Sequence, residues 1–168
     1  MEKLKCSRVV RMQTMPSMCD EDSYMTIPAV LDMFQDIAGL HADTVGIGAL
    51  EMEEMGLFWV LSRIRVKIIS KPFVYDDLDV TTWIQPAERA TCERDFSLSK
   101  DGEIMAYARS IWAALRRDNG RPAHMSDFYP DADFCIDPPD DEPFVRRSKH
   151  FEDAEPLGEY RVRSIDID

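Results

Sequence analysis

The sequence predicts an α+β fold in which one long helix lies across one face of a curved antiparallel sheet. Three observations predict it. Between Ile27 and Val45 the apolar residues recur at helical spacing, whereas four later stretches between Phe58 and Leu115 alternate apolar with polar residues. Asp101-Gly102, a strong hairpin signal, stands where two of those stretches must reverse direction.

The chain opens with a short strand over Ser7 to Met12, followed by a polar, methionine-containing loop that runs to about Tyr24. In the helix, Val30, Leu31, Phe34, Ile37, Ala38, Ala42 and Val45 form one stripe, and Asp32, Gln35, Asp36 and Asp43 the polar face. Thr26 suits the N-cap, Pro28 the first turn, and Gly46 and Gly48 the stop. The first long strand spans Phe58 to Ile69, with Phe58, Val60, Ile64, Val66 and Ile68 expected on one face and Arg63, Arg65 and Lys67 on the other. Leu78 to Gln85 and Ala90 to Ser99 repeat the alternation. The Asp101-Gly102 turn leads into Glu103 to Leu115, closed by Asp118-Asn119-Gly120.

These elements fill residues 1–130 and form one domain. Residues 131–156 are acidic and proline-rich and read as a linker, and residues 157–168, with Gly158 to Ile165 alternating again, read as the first strand of a truncated second domain.

Of 168 residues, 45% are hydrophobic and 31% charged, a balance that supports a packed core. The net charge of −12 argues against nucleic acid or an anionic bilayer as partner. No stretch approaches the roughly twenty apolar residues of a membrane span, and the N-terminus has no apolar signal core, so a cytoplasmic location is expected. Cys6, Cys19, Cys92 and Cys135 show no C-x-x-C spacing and are expected to be free thiols. His41, His124 and His150 share no ligand spacing, so neither a metal nor another cofactor is indicated.

Three stretches together resemble a known family: Ala29-Val30-Leu31-Asp32-Met33-Phe34-Gln35-Asp36-Ile37-Ala38-Gly39-Leu40-His41-Ala42, then Phe58-Trp59-Val60-Leu61-Ser62-Arg63-Ile64-Arg65-Val66, and Tyr107-Ala108-Arg109-Ser110-Ile111-Trp112. In order and spacing the chain resembles the acyl-acyl carrier protein thioesterases of bacteria and plastids, which are built from two hot-dog domains in tandem. The resemblance implies a hot-dog fold, a thioester hydrolase that releases fatty acids from acyl-acyl carrier protein, and a first domain that supplies much of the acyl tunnel. The family's second domain opens with an Asp-Ile/Leu-Asp-x-Asn-x-His motif, whose last aspartate matches Asp168. Asp168 is thus the one catalytic residue the resemblance carries over, and these residues alone are not expected to hydrolyse a thioester.

The expected acyl lining is the apolar helix face and the strand beneath it: Leu31, Phe34, Ile37, Ala38, Trp59 and Leu61, with His41 at the pocket mouth. Any hydrophobic core would use the same positions, and His41 suits a core-edge imidazole bonded to a carbonyl equally well. Gln35 and Asp36 offer a catalytic acid on the helix or a solvated polar face; in the former case the chain would be a single-domain acyl-CoA thioesterase, and without chemistry it would be an acyl-binding module. The stripe Arg63, Arg65 and Lys67 fits cross-strand pairs with Asp79, Glu93 and Asp95, or an acidic carrier protein, for which Arg116, Arg117 and Arg121 form a second patch. A hot-dog sheet without its mate is expected to pair with a second copy or with the missing second domain.

Overall fold

The computed structural model describes residues 6–130, 158–159 and 161–163. The expected linker, Asp168 and most of the expected final strand lie outside these residues. Gly158, Glu159 and Arg161 to Arg163 are exposed and belong to neither helix nor strand.

The six expected elements form, with ends moved by a residue or two: β1 (Ser7–Gln13), α1 (Ile27–Thr44), β2 (Leu57–Ile68), β3 (Asp77–Ile84), β4 (Cys92–Lys100) and β5 (Glu103–Arg116). A short helix, α2 (Ala49–Glu54), was not expected. It buries only Met52, so it carries no apolar periodicity to read. The strands make one antiparallel sheet in the order β1-β3-β4-β5-β2. The β4–β5 hairpin turns through Asp101 (φ 51°) and Gly102 (φ 86°), both left-handed, as a two-residue turn matched to strand twist requires.

Helix α1 begins where the Thr26 side chain accepts the Ala29 N–H at 3.3 Å, with Pro28 in the first turn, and it stops at Gly46, whose φ of 78° favours a residue without a Cβ. It packs on β1 and β3. Its N-terminal part buries Val30, Met33, Phe34 and Ile37 against Leu78, Val80, Phe96 and Leu98. Phe34 stacks on Phe96 with ring centroids 4.9 Å apart. A long helix wrapped by a five-stranded sheet is the hot-dog arrangement.

One expectation about β2 is corrected. Its pairing with β5 slips by one residue between Leu61 and Arg63, a bulge at Ser62. Side-chain parity therefore flips there. Leu57 and Trp59 pack into the interior with Ile64, Val66 and Ile68, and Phe58, placed with that inner set by unbroken alternation, instead lies under the Arg117 guanidinium, 5.7 Å from its ring centroid.

The cysteine expectation is corrected in part. Cys6 is disulfide-bonded, whereas Cys19 and Cys92 are free.

Candidate functional site

Beyond Ile37 the buried face of α1 changes character. Gln35, Ala38, Gly39 and Ala42 fall at i, i+3, i+4 and i+7, so they share one helix face, with Ala38 and Ala42 buried and Gln35 and Gly39 exposed, and three of the four carry little or no side chain. The space they leave is a pocket of about 240 Å³. Its opposite wall is built by Trp59 from β2, Cys92 and Arg94 from β4 and Trp112 from β5, with Ile47 from the turn after α1, Ala49 from the start of α2 and Tyr129 from the segment after β5 closing the sides.

Both tryptophans are held by their indole N–H groups. Trp59 donates to the Ile47 carbonyl at 2.9 Å, and Trp112 donates to the Ser110 hydroxyl at 2.7 Å. The rings meet edge to face at 6.4 Å, and Trp59 also meets Phe128 and Tyr129 edge-on. With each polar tip satisfied, what the indoles offer the pocket is apolar ring surface.

A layer of buried polar side chains runs beneath. Arg94 donates from Nη1 to His41 Nδ1 at 2.9 Å and to the Thr82 hydroxyl at 3.2 Å. Since a guanidinium only donates, His41 Nδ1 accepts, and the imidazole is the neutral Nε2–H tautomer. The Thr82 hydroxyl donates to the Asp95 carbonyl and the Ser110 hydroxyl to the Arg94 carbonyl, each at 3.0 Å. His41, Thr82 and Ser110 are inaccessible and Arg94 is 6% exposed.

Burial governs the electrostatics. It lowers the Arg94 pKa, an effect opposed by Tyr129 and Cys92, pushes the Cys92 thiol up to about 11, and raises the Tyr129 phenol well above its ordinary value. At neutral pH the thiol and phenol facing Arg94 are therefore uncharged.

The expected lining residues separate in the structure. Ala38 and Trp59 line the pocket. His41 stands behind it, bonded to Arg94. Phe34 and Ile37 lie in the hydrophobic core with no exposed surface, and Leu31 and Leu61 are half-buried and outside the pocket wall. Gln35 is on the rim, whereas Asp36 is exposed and away from it. Asp168 lies outside the described residues. Sequence reasoning missed Arg94, Cys92, Trp112 and Tyr129. The available signal was Arg94 itself, which shares parity with Cys92, Phe96 and Leu98 and so had to point inward.

On the sheet's other face, β5 lies between β2 and β4, and it is Arg109 that meets Glu93 at 3.8 Å and Asp95 at 2.8 Å. Asp95, 1% exposed, also accepts from Gln85 Nε2 at 2.6 Å. Lys67 lies over the Tyr107 ring at 5.5 Å, and in the loop patch Arg116 reaches Asp127 at 4.0 Å.

This architecture is shared with proteins of known activity. Over 124 residues the chain is 29% identical to oleoyl-acyl carrier protein thioesterase 2, chloroplastic, of Arabidopsis thaliana, covering 68% of this chain and 34% of the relative. The chain spans about a third of the length of the curated relatives it matches. Among solved structures, an acyl-ACP thioesterase from Bacteroides thetaiotaomicron superposes with a TM-score of 0.69 at 26% identity, over 83% of this chain and 60% of that one. The 12:0-ACP thioesterase from Umbellularia californica gives 0.65 at 25% identity, over 73% and 50%. Residues 9–131, the stretch that builds the sheet, α1 and the pocket wall, match the acyl-ACP thioesterase N-terminal domain, and the chain belongs to that family.

Proposed function

We propose that this chain is the acyl-holding half of an enzyme that hydrolyses acyl-acyl carrier protein and releases free fatty acid in fatty acid biosynthesis. The observation that carries the reading is the pocket: a small-residue helix face set against two indole rings, in a chain of this family. An alkyl chain seated there gains about 0.8 kcal/mol for each methylene removed from water. That binding energy fixes the thioester carbonyl for attack by water, which needs a base and oxyanion donors. In this proposal those groups come from a second hot-dog domain, with Asp168 as their first member. Asp36, exposed and away from the pocket, is unsuited to replace them.

The mate that completes the site is proposed to lie along β2. This strand is 12 residues long and stands at the sheet edge, so its outer N–H and C=O groups form a template for another strand, from a second domain or a second copy. For a carrier protein of acidic surface, Arg116, Arg117 and Arg121 offer an exposed cationic patch on a chain of net charge −12.

Titrating the chain with octanoyl-pantetheine while following tryptophan emission tests the reading. Saturable quenching is expected, together with its loss in Ala42→Phe, which fills the pocket. An unsaturable response, or one that Ala42→Phe leaves unchanged, refutes it.

A further inference from the structure

An acyl pocket has no use for a buried cation, yet Arg94 is one of its lining residues and 6% exposed. A guanidinium has five N–H donors. Two, both on Nη1, are taken by His41 and Thr82; the three on Nε and Nη2 meet no acceptor among the described residues. Nor is there a counter-ion among the described residues. The carboxylates on either side in sequence, Glu93 and Asp95, lie on the other face of the sheet, where Arg109 holds them. The groups that face Arg94, His41, Cys92 and Tyr129, are neutral: the imidazole by its hydrogen-bonding role, the thiol and phenol because burial raises their pKa values. A charge taken out of water is ordinarily compensated by a partner of opposite sign, and here the guanidinium with its unbonded donors belongs to a residue of the pocket wall.

We propose that Arg94 anchors a carboxylate, so that the pocket takes an alkyl carboxylate, its charged group on the guanidinium fork and its methylenes along Ala38, Gly39, Ala42 and the two indoles. A fork of this shape matches the two oxygens of a carboxylate, and the apolar wall binds the remainder. Two molecules present that chemistry: a free fatty acid, and an acyl thioester whose far end carries a second carboxyl group. The inference rests on the reading of this cavity as an acyl site, and the test separates the two.

The full chain is titrated at neutral pH with octanoate and with octanol, following tryptophan emission and heat of binding. Octanoate is expected to bind roughly tenfold or more tighter, the range of a charge-assisted hydrogen-bonded pair. Arg94→Met should bring it down to the affinity of octanol, while Arg94→Lys, which keeps the charge, retains part of the preference. Equal binding of the two ligands to the unsubstituted chain overturns the inference and leaves the acyl pocket standing; this comparison needs no variant to fold. A preference that survives in a folded Arg94→Met chain also overturns it, since the anion would then sit elsewhere. Failure of both ligands to bind overturns the acyl reading itself. Suberoyl-pantetheine and octanoyl-pantetheine form the last arm: tighter binding of the suberoyl compound, dependent on Arg94, identifies a distal carboxyl as a source, and equal binding of the two with octanoate still preferred over octanol identifies the free acid.

Discussion

Phe34 and Trp59 are both aromatic and both were expected to touch an acyl chain, but the structure gives them different work, and truncating each should show it. Phe34 is wholly buried and stacked on Phe96, so Phe34→Ala opens a cavity in the core. Such a change costs about 3–5 kcal/mol, of which the lost ring pair accounts for about 0.5–1.5. Against a total stability of about 5–15 kcal/mol this is a large fraction. With a urea m-value of about 2 kcal/mol/M, the midpoint falls by about 2 M. Trp59 is half-buried and faces open pocket on one side. Trp59→Ala gives up one hydrogen bond, worth about 1 kcal/mol, and three edge contacts, each at the low end of about 0.5–1.5 kcal/mol because the ring is only half-buried, and should lower stability by about 2–3 kcal/mol. Urea denaturation of both variants, with octanol binding measured alongside, checks the assignment. Phe34→Ala should be the more unstable of the two and, below its midpoint, still bind octanol; Trp59→Ala should lose binding first. If Phe34→Ala lost less than about 1 kcal/mol while abolishing binding, the division between core and pocket drawn here would be wrong.

Three further outcomes are expected. Gly102→Val forces a β-branched residue to φ 86° and should lower stability by about 1 kcal/mol or more, read as a fall in Tm without loss of octanol binding. Burial opposes ionisation of Asp76, but Lys100 at 2.7 Å and the Phe73 N–H at 2.9 Å outweigh it and hold the carboxyl below 3.8. The stabilisation is therefore full above about pH 4 and lost as pH falls through the depressed pKa, so the gap in urea midpoint between the unsubstituted chain and Asp76→Asn should close on acidification; a gap independent of pH counts against the pairing. Cys92, buried and with its thiol raised to about 11, should stay unmodified by iodoacetamide at pH 8 under conditions where the half-buried Cys19 reacts, as peptide mass spectrometry would show.

The elements that alternate or recur cleanly were legible because burial on one face imposes a period, and the cap at Thr26, the stop at Gly46 and the turn at Asp101-Gly102 are local chemistry written in a few residues. The bulge at Ser62 was not legible: it changes register against β5, a partner some fifty residues away, and leaves no compositional mark. The pocket was legible only in part. Along α1 the switch from Phe34 and Ile37 to Ala38, Gly39 and Ala42 is visible as a loss of bulk, but bulk lost against a tight neighbour is packing, and against a distant one it is a cavity. Only the placement of Trp59, Trp112 and Tyr129, brought together from three parts of the chain, decides which.

The polar layer of His41, Arg94, Thr82 and Ser110 lies between the apolar cluster around Phe34 and Phe96 and the one around Ile47 and Trp112. Directional bonds do not slide as hydrocarbon contacts do, so this layer is a bulkhead. A methyl gained or lost on the pocket side of it changes the cavity without disturbing the core on the other side, so the shape of the pocket and the part of the molecule that makes it fold can vary independently.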